Sequence, residues 1–178
     1  LVGRAVAQQP EWSSPFVGGR SQCGMAHDAA RGATVVFGGL QGGALLGDTW
    51  TWDGAAWAKR DVSGPSERYG HAMAFDSARG VTVLFGGLTA GSVRSGETWE
   101  WDGASWTRRL VSGPTARNDH AMVYDSARGV VVLFGGNPGT GYNAETWEWN
   151  GTAWAQRGTG GPRARASHAM AYDSARGV

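Results

Sequence analysis

Short apolar runs alternate with polar turn residues along most of the chain. His71 to Phe75 and Val81 to Phe85 are apolar at almost every position, which is typical of strands buried on both faces. Between them, Asp76 to Gly80 has the initial Asp and final Gly that favour a tight turn with one residue at positive φ. Thr98 to Trp101 alternates polar residues with tryptophan, and Trp106 to Arg109 is mostly polar. We therefore predict four short strands, with burial falling from the first strand to the fourth.

This four-strand pattern returns with a period of 48 to 49 residues. We place the copies at about residues 20–67, 68–116 and 117–164, with the start of a fourth at 165–178 and an N-terminal segment at 1–19. A single meander of this length cannot cover both faces of its own sheet, so the copies must stack on one another. A radial stack with apolar inner strands and polar outer strands predicts an all-β fold of the β-propeller class.

Composition agrees with this pattern and excludes several other classes of protein. Nine of the 10 tryptophans occupy repeat positions, so they are packing residues first. The single cysteine, Cys23, excludes a disulfide scaffold, and no apolar stretch approaches the roughly 20 residues of a membrane-spanning helix. The formal net charge of +1, without a stripe of basic residues, gives no sign of nucleic-acid binding.

Linked motifs recur in a fixed order within each copy. An arginine and a histidine open the first strand, a Gly-Gly pair such as Gly86-Gly87 ends the second, and spaced tryptophans mark the third and fourth. Over residues 20–178 these motifs resemble kelch repeats, in particular those of bacterial secreted kelch proteins. The resemblance implies a kelch propeller, usually of six or seven blades. It implies little about function, because kelch propellers serve mainly as binding platforms and only occasionally as enzymes.

The two ends of the sequence suggest a piece of a longer protein. Three blades and the start of a fourth cannot close a ring, so we expect the remaining blades of the same chain, or self-association, to cover the open ends. Ala5-Val6-Ala7 has the small-x-small pattern of a signal-peptidase site, and we interpret residues 1–7 as the tail of an export signal. This predicts a secreted or cell-surface protein, whereas a cytoplasmic location follows if the pattern is a chance one.

The connections that differ between copies are the best candidates for a ligand site. In an up-and-down meander, the connection from the second to the third strand lies at the same end as the residues that enter the first strand. The residues predicted to bind a ligand at this end are Arg20, Arg68, Tyr69, Arg94, Arg117, Asn118, Tyr142 and Arg165. A ring of arginines suits carboxylates, phosphates or an acidic peptide. The alternative is that each repeated arginine bonds loop carbonyls of its own copy.

No set of residues in the sequence predicts catalysis, a metal or a cofactor. His71, His120 and His168 recur at one repeat position, but Cys23 replaces them in the first copy and the positions are spread around a ring. We interpret the repeated Asp and Arg of the tight turns, such as Asp76 and Arg79, as a turn cap and a solvated cation.

The leading hypothesis is therefore a non-catalytic binding or scaffold module with a protein or glycan ligand. One alternative is a piece of a carbohydrate-active enzyme, like galactose oxidase or sialate mutarotase, whose catalytic residues lie elsewhere. Another is an architectural role in a surface layer or adhesin.

Overall fold

The computed structural model describes residues 19–158 and 160–178. The interpretation of residues 1–7 as an export signal lies outside the described residues. The first sheet contains four antiparallel strands in chain order, namely β1 (Gly24–Asp28), β2 (Ala33–Gln41), β3 (Ala44–Trp52) and β4 (Trp57–Arg60). This sheet falls within the first copy of the repeat.

The next two copies form sheets of the same kind. The second sheet consists of β5 (Ala72–Asp76), β6 (Val81–Phe85), β9 (Thr98–Trp101) and β10 (Trp106–Arg109). Its β6–β9 connection holds a two-stranded hairpin of β7 (Leu88–Thr89) and β8 (Val93–Arg94) around a short 3-10 turn, Ala90–Ser92. The third sheet consists of β11 (Ala121–Asp125), β12 (Val130–Phe134), β13 (Thr146–Trp149) and β14 (Trp154–Gly158). The structure is therefore all-β, as predicted.

The three sheets pack on one another through their first strands, because β5 lies between β1 and β11 and contacts both. One apolar cluster joins the first and second sheets, with Phe37 and Trp106 at its centre. A second cluster joins the second and third sheets, with Phe85 and Trp154 in the same places. The repeat thus builds the same interface twice.

Burial is greatest in the second strand of each sheet, so the predicted steady fall from the first strand is wrong. Val83, Leu84 and Phe85 of β6 are fully enclosed, whereas Phe75 of β5 is only half-buried. In the first sheet, Met25 of β1 is even 54% exposed. The second strand lies between two strands of its own sheet, and neighbouring sheets cover its faces, whereas the first strand is an edge strand. The fourth strand is the most polar, as predicted, with only Trp106 buried in β10.

Tryptophans of one sheet also bond to the preceding sheet. Trp106 of β10 donates its Nε1–H to Thr49 Oγ1 of the first sheet at 2.9 Å, and Trp154 donates to Thr98 Oγ1 at 2.9 Å. Both indoles also stand edge-on to a phenylalanine on the second strand of that preceding sheet, Phe37 or Phe85. The packing role assigned to the repeated tryptophans therefore includes a directional contact between sheets.

The Gly-Gly pairs permit close approach of two chain segments. Both Gly86 and Gly87 have positive φ, and a Cβ on Gly86 would lie 2.5 Å from the carbonyl oxygen of Arg117. Any side chain there would force the second and third sheets apart. Residues 160–178, which contain the start of the fourth copy, form turns and irregular backbone. No helix among the described residues is long and apolar enough to cross a membrane.

Candidate functional site

The long connections and the residues that enter the first strands lie at one end of the sheets. In the second sheet, Ala72 at the start of β5 pairs with Phe85 at the end of β6, which in turn pairs with Thr98 at the start of β9. Isolated bridges join the two kinds of segment at this end, and Tyr69 with Leu88 is one of them. We call this end the long-loop face. The tight turns, such as Asp76 to Gly80, lie at the opposite end.

In the three full copies, the side chain of the opening arginine is buried in its own sheet. Arg68 has no exposed surface, and it donates to the carbonyl oxygen of Gly86 at 3.1 Å and to Glu97 Oε2 at 2.7 Å. Arg117 is equally enclosed and bonds to the Gly135 carbonyl oxygen and to Glu145. Arg20 makes the same two kinds of contact, with the Gly38 carbonyl oxygen and with Asp48.

The acid of each pair also accepts a hydrogen bond from a repeated tryptophan. Trp99 Nε1 donates to Glu97 Oε2 at 3.1 Å, and Trp147 donates to Glu145 at 3.0 Å. Burial alone would raise the pKa of Glu97, but the hydrogen bonds from Arg68 and Trp99 outweigh it, and the pKa is lowered. The carboxylate therefore stays charged and balances its arginine.

These contacts revise the prediction of an arginine-lined mouth. A guanidinium that is enclosed and paired with a carboxylate is not available to a ligand, and this holds for Arg20, Arg68 and Arg117. Their burial favours the alternative that these arginines bond the loops of their own copies. Arg165 is exposed, and its guanidinium donates to the carbonyl oxygen of Arg163.

Two of the predicted residues meet between the second and third sheets. Arg94 on β8 donates its Nε–H to Asn118 Oδ1 at 3.1 Å and to the carbonyl oxygen of Asn137 at 3.0 Å. The Asn118 amide then donates to Asp119 Oδ2 at 2.5 Å. Tyr142, on the β12–β13 connection, is 65% exposed, whereas Tyr69 is half-buried.

The residues that directly precede Cys23 and the three repeated histidines had no predicted role. Gln22, Gly70, Asp119 and Ser167 all have φ between 54° and 64°. Each backbone N–H donates to the carbonyl oxygen of its equivalent one copy earlier: Gly70 to Gln22 at 3.0 Å, Asp119 to Gly70 at 2.7 Å and Ser167 to Asp119 at 2.8 Å. We call these four residues the axial arc. Their one visible signal in the sequence is that this position differs in every copy, as Gln, Gly, Asp and Ser.

A cavity of about 300 Å³ opens beside the axial arc. Its walls are the axial arc and the residue that follows each member, namely Cys23, His71, His120 and His168. Asp119 is half-buried here, and no described residue donates a hydrogen bond to its Oδ1 atom. Burial raises the pKa of Asp119, although Asn118 and Arg94 act in the opposite direction.

The side chains of His71 and His120 pack between neighbouring sheets. The His71 ring stands edge-on to Phe37 of the first sheet, and its Nε2 accepts from the Gly24 backbone N–H at 3.0 Å. His120 packs in the same way on Phe85. Burial lowers the pKa of both His71 and His120 to about 3, with a smaller contribution from the adjacent arginine, so both rings are neutral at pH 7. Within the described residues, no three His, Cys, Asp or Glu side chains are arranged to hold a metal ion.

The turn acids and the strand glutamates also have structural partners. Asp76 Oδ1 caps its turn by accepting from the backbone N–H of Ala78 and of Arg79, as predicted. The prediction that Arg79 is solvated is wrong, because its side chain bridges Asp76 and the buried Glu100. Glu100 also accepts from Arg109 and from Trp149 of the third sheet. These groups hold the sheets together.

Comparison with family models gave no match to the chain, and comparison with curated proteins gave none either.

Proposed function

We propose that this chain is part of a kelch-type β-propeller and acts as a non-catalytic binding module, with a protein or glycan ligand on the long-loop face. The sheets support the propeller, because four-stranded meanders are joined side by side through their first strands and repeat one interface. The kelch assignment continues to depend on the order of arginine, histidine, Gly-Gly and tryptophan motifs. Secretion remains a prediction from residues 1–7.

One observation carries the binding function. The side chains that all full copies share are engaged in bonds within or between the sheets, as Arg68 and Arg79 are. The side chains that differ between copies, including Arg94, Asp119 and Tyr142, gather at the long-loop face and are partly or largely exposed. Residues outside the repeated contacts are free to vary with the ligand, so the unshared set at this face supports a binding surface there.

The carbohydrate-active enzyme is the weaker candidate within the described residues. The carboxylates on the strands are held in ion pairs, as Asp48 is with Arg20 and Glu148 is with Arg157. A general acid or nucleophile needs a carboxylate that reaches the substrate, and such pairing prevents this.

The binding function is tested by screening the chain against immobilised glycan and peptide libraries and then mapping each ligand by amide chemical shifts of the ¹⁵N-labelled protein. We expect the largest shifts around Arg94, Asn118 and Tyr142, and small shifts at the opposite turns. Arg94→Ala combined with Tyr142→Ala should weaken binding at least about tenfold, since arginine and tyrosine side chains dominate binding energies.

The matched control is Lys59→Ala, which removes one positive charge from an exposed position on β4. This variant should bind like the unmodified chain. A ligand whose shifts map to the turns at the opposite end, or whose affinity responds to Lys59 and not to Arg94, would show that the binding surface is elsewhere.

A further inference from the structure

The axial arc presents different side chains on one repeated backbone frame. Its four members share a left-handed backbone and are linked in series by N–H to carbonyl bonds, so the frame is the same in each copy. A non-glycine residue with positive φ is uncommon, yet Gln22, Asp119 and Ser167 all adopt it. The polar side chains at these positions border the cavity of about 300 Å³.

Gly70 makes room for the Asp119 carboxylate. A Cβ on Gly70 would lie 2.8 Å from Asp119 Oδ1, so the acid of the third copy extends across the arc position of the second. The absence of a side chain at Gly70 therefore leaves Asp119 Oδ1 at the centre of the described arc. Its other oxygen, Oδ2, is already occupied by the Asn118 amide.

The charges at this site oppose an anionic ligand. Arg20, Arg68 and Arg117 are paired with their own acids, so they give the cavity no net positive charge. Among the residues that line the cavity, only Asp119 is acidic and none is Arg or Lys. Arg94 lies on the other side of the Asn118 amide and balances Asp119, whereas the exposed Arg165 donates to the carbonyl oxygen of Arg163. Such a site suits a neutral ligand that both donates and accepts hydrogen bonds.

We propose that the cavity at the axial arc binds a neutral sugar, with Asp119 Oδ1 accepting from its hydroxyl groups and Gln22 and Ser167 supplying further polar contacts. The cavity volume is at the lower end of the range for small-molecule sites, which is enough for one sugar residue. This inference rests on the proposed binding function and names the ligand class and the residue on which recognition depends.

The test titrates the ¹⁵N-labelled chain with methyl glucoside, methyl galactoside, methyl mannoside and N-acetylglucosamine, with gluconate as an anionic probe and glucosamine as a cationic one. We expect at least one neutral sugar to shift the amides of Gln22, Gly70, Asp119 and Ser167. Asp119→Asn should weaken the binding of that sugar at least about tenfold, because hydrogen bonds to a charged acceptor are stronger than those to a neutral one. Asparagine tolerates the left-handed backbone, so this variant should fold.

Asp61→Asn is the matched control, because Asp61 is an exposed acid outside the cavity. Sugar binding that survives Asp119→Asn, tighter binding of gluconate or glucosamine, or no shift in the arc amides with any neutral sugar would overturn the inference. If a library ligand shifts the outer loops around Tyr142 while the arc amides stay unchanged, the binding module stands and the sugar site alone is wrong.

Discussion

At the scale of single residues, burial decides which repeated side chains carry charge. His71 and His120 sit between sheets and remain neutral, because desolvation lowers the pKa of each to about 3. The arginines beside them each have a carboxylate partner within hydrogen-bonding distance, as Arg68 has in Glu97. The repeated histidines and arginines, which the sequence offers as candidates for metal or anion binding, therefore serve the structure of the sheets.

The buried histidines predict a loss of stability in mild acid. In the unfolded chain each histidine titrates near its ordinary pKa of 6.5, whereas the folded value is about 3. The unfolded state then binds more protons below pH 6.5, so the free energy of unfolding is highest above that pH and falls as the pH decreases. Lowering the pH to about 5 should reduce the free energy of unfolding by about 2 kcal/mol for each buried histidine. Urea unfolding at the two pH values measures this change.

Variants separate this effect from that of other groups. His71→Gln combined with His120→Gln should flatten the dependence of unfolding free energy on pH across this window, although stability itself falls. His27→Gln, at an exposed position on β1, should lower the free energy of unfolding far less than these two substitutions. An unmodified chain that is equally stable at neutral and mildly acidic pH would refute the assignment of neutral, buried rings.

At the scale of elements, a hydrogen-bond network around one carboxylate joins the second and third sheets. Glu100 on β9 accepts hydrogen bonds from Arg79 and Arg109 of its own sheet and from Trp149 of the third sheet. Arg79 also lies over the Trp149 ring, with its guanidinium carbon 5.9 Å from the ring centroid. A single carboxylate therefore connects three strands and two sheets.

Replacing Glu100 should destabilise the chain far more than replacing an exposed glutamate. Glu100→Gln leaves two guanidinium groups beside a neutral amide. We therefore expect the free energy of unfolding, measured by thermal or urea denaturation, to fall by about 2 kcal/mol or more. Glu67→Gln, at an exposed position before Arg68, should change stability by less than about 0.5 kcal/mol. Equal effects of the two substitutions would show that the Glu100 network contributes nothing to stability.

Local patterns predicted the strands well, because each strand and turn is encoded within a few neighbouring residues. Val81–Phe85, Thr98–Trp101 and Trp106–Arg109 have the predicted bounds. The axial arc was missed, because a left-handed backbone leaves a sequence signal only where glycine occupies it, as at Gly70. The partner of Arg68 was missed as well, since Glu97 is 29 residues away and only the sheet register brings the two together.

At the scale of the whole molecule, the repeat divides the side chains into two groups. Those that every full copy shares form ion pairs, turn caps and sheet contacts, and Arg117 is an example with no exposed surface. The long-loop face contains side chains that the copies do not share, and there Arg94 and Asp119 flank one amide. We infer that the first group builds the sheets and the second is available to a ligand.

The most direct test compares the free energies of unfolding of Arg117→Ala and Arg94→Ala by urea denaturation. Both substitutions remove an arginine from the same end of the sheets. Arg117→Ala should cost about 3 kcal/mol, because it leaves Glu145 and the Gly135 carbonyl oxygen without their buried partner. Arg94→Ala should cost less than about 1 kcal/mol, since it removes only two hydrogen bonds at a partly exposed loop. A negligible loss for Arg117→Ala, or a larger loss for Arg94→Ala, would contradict this division.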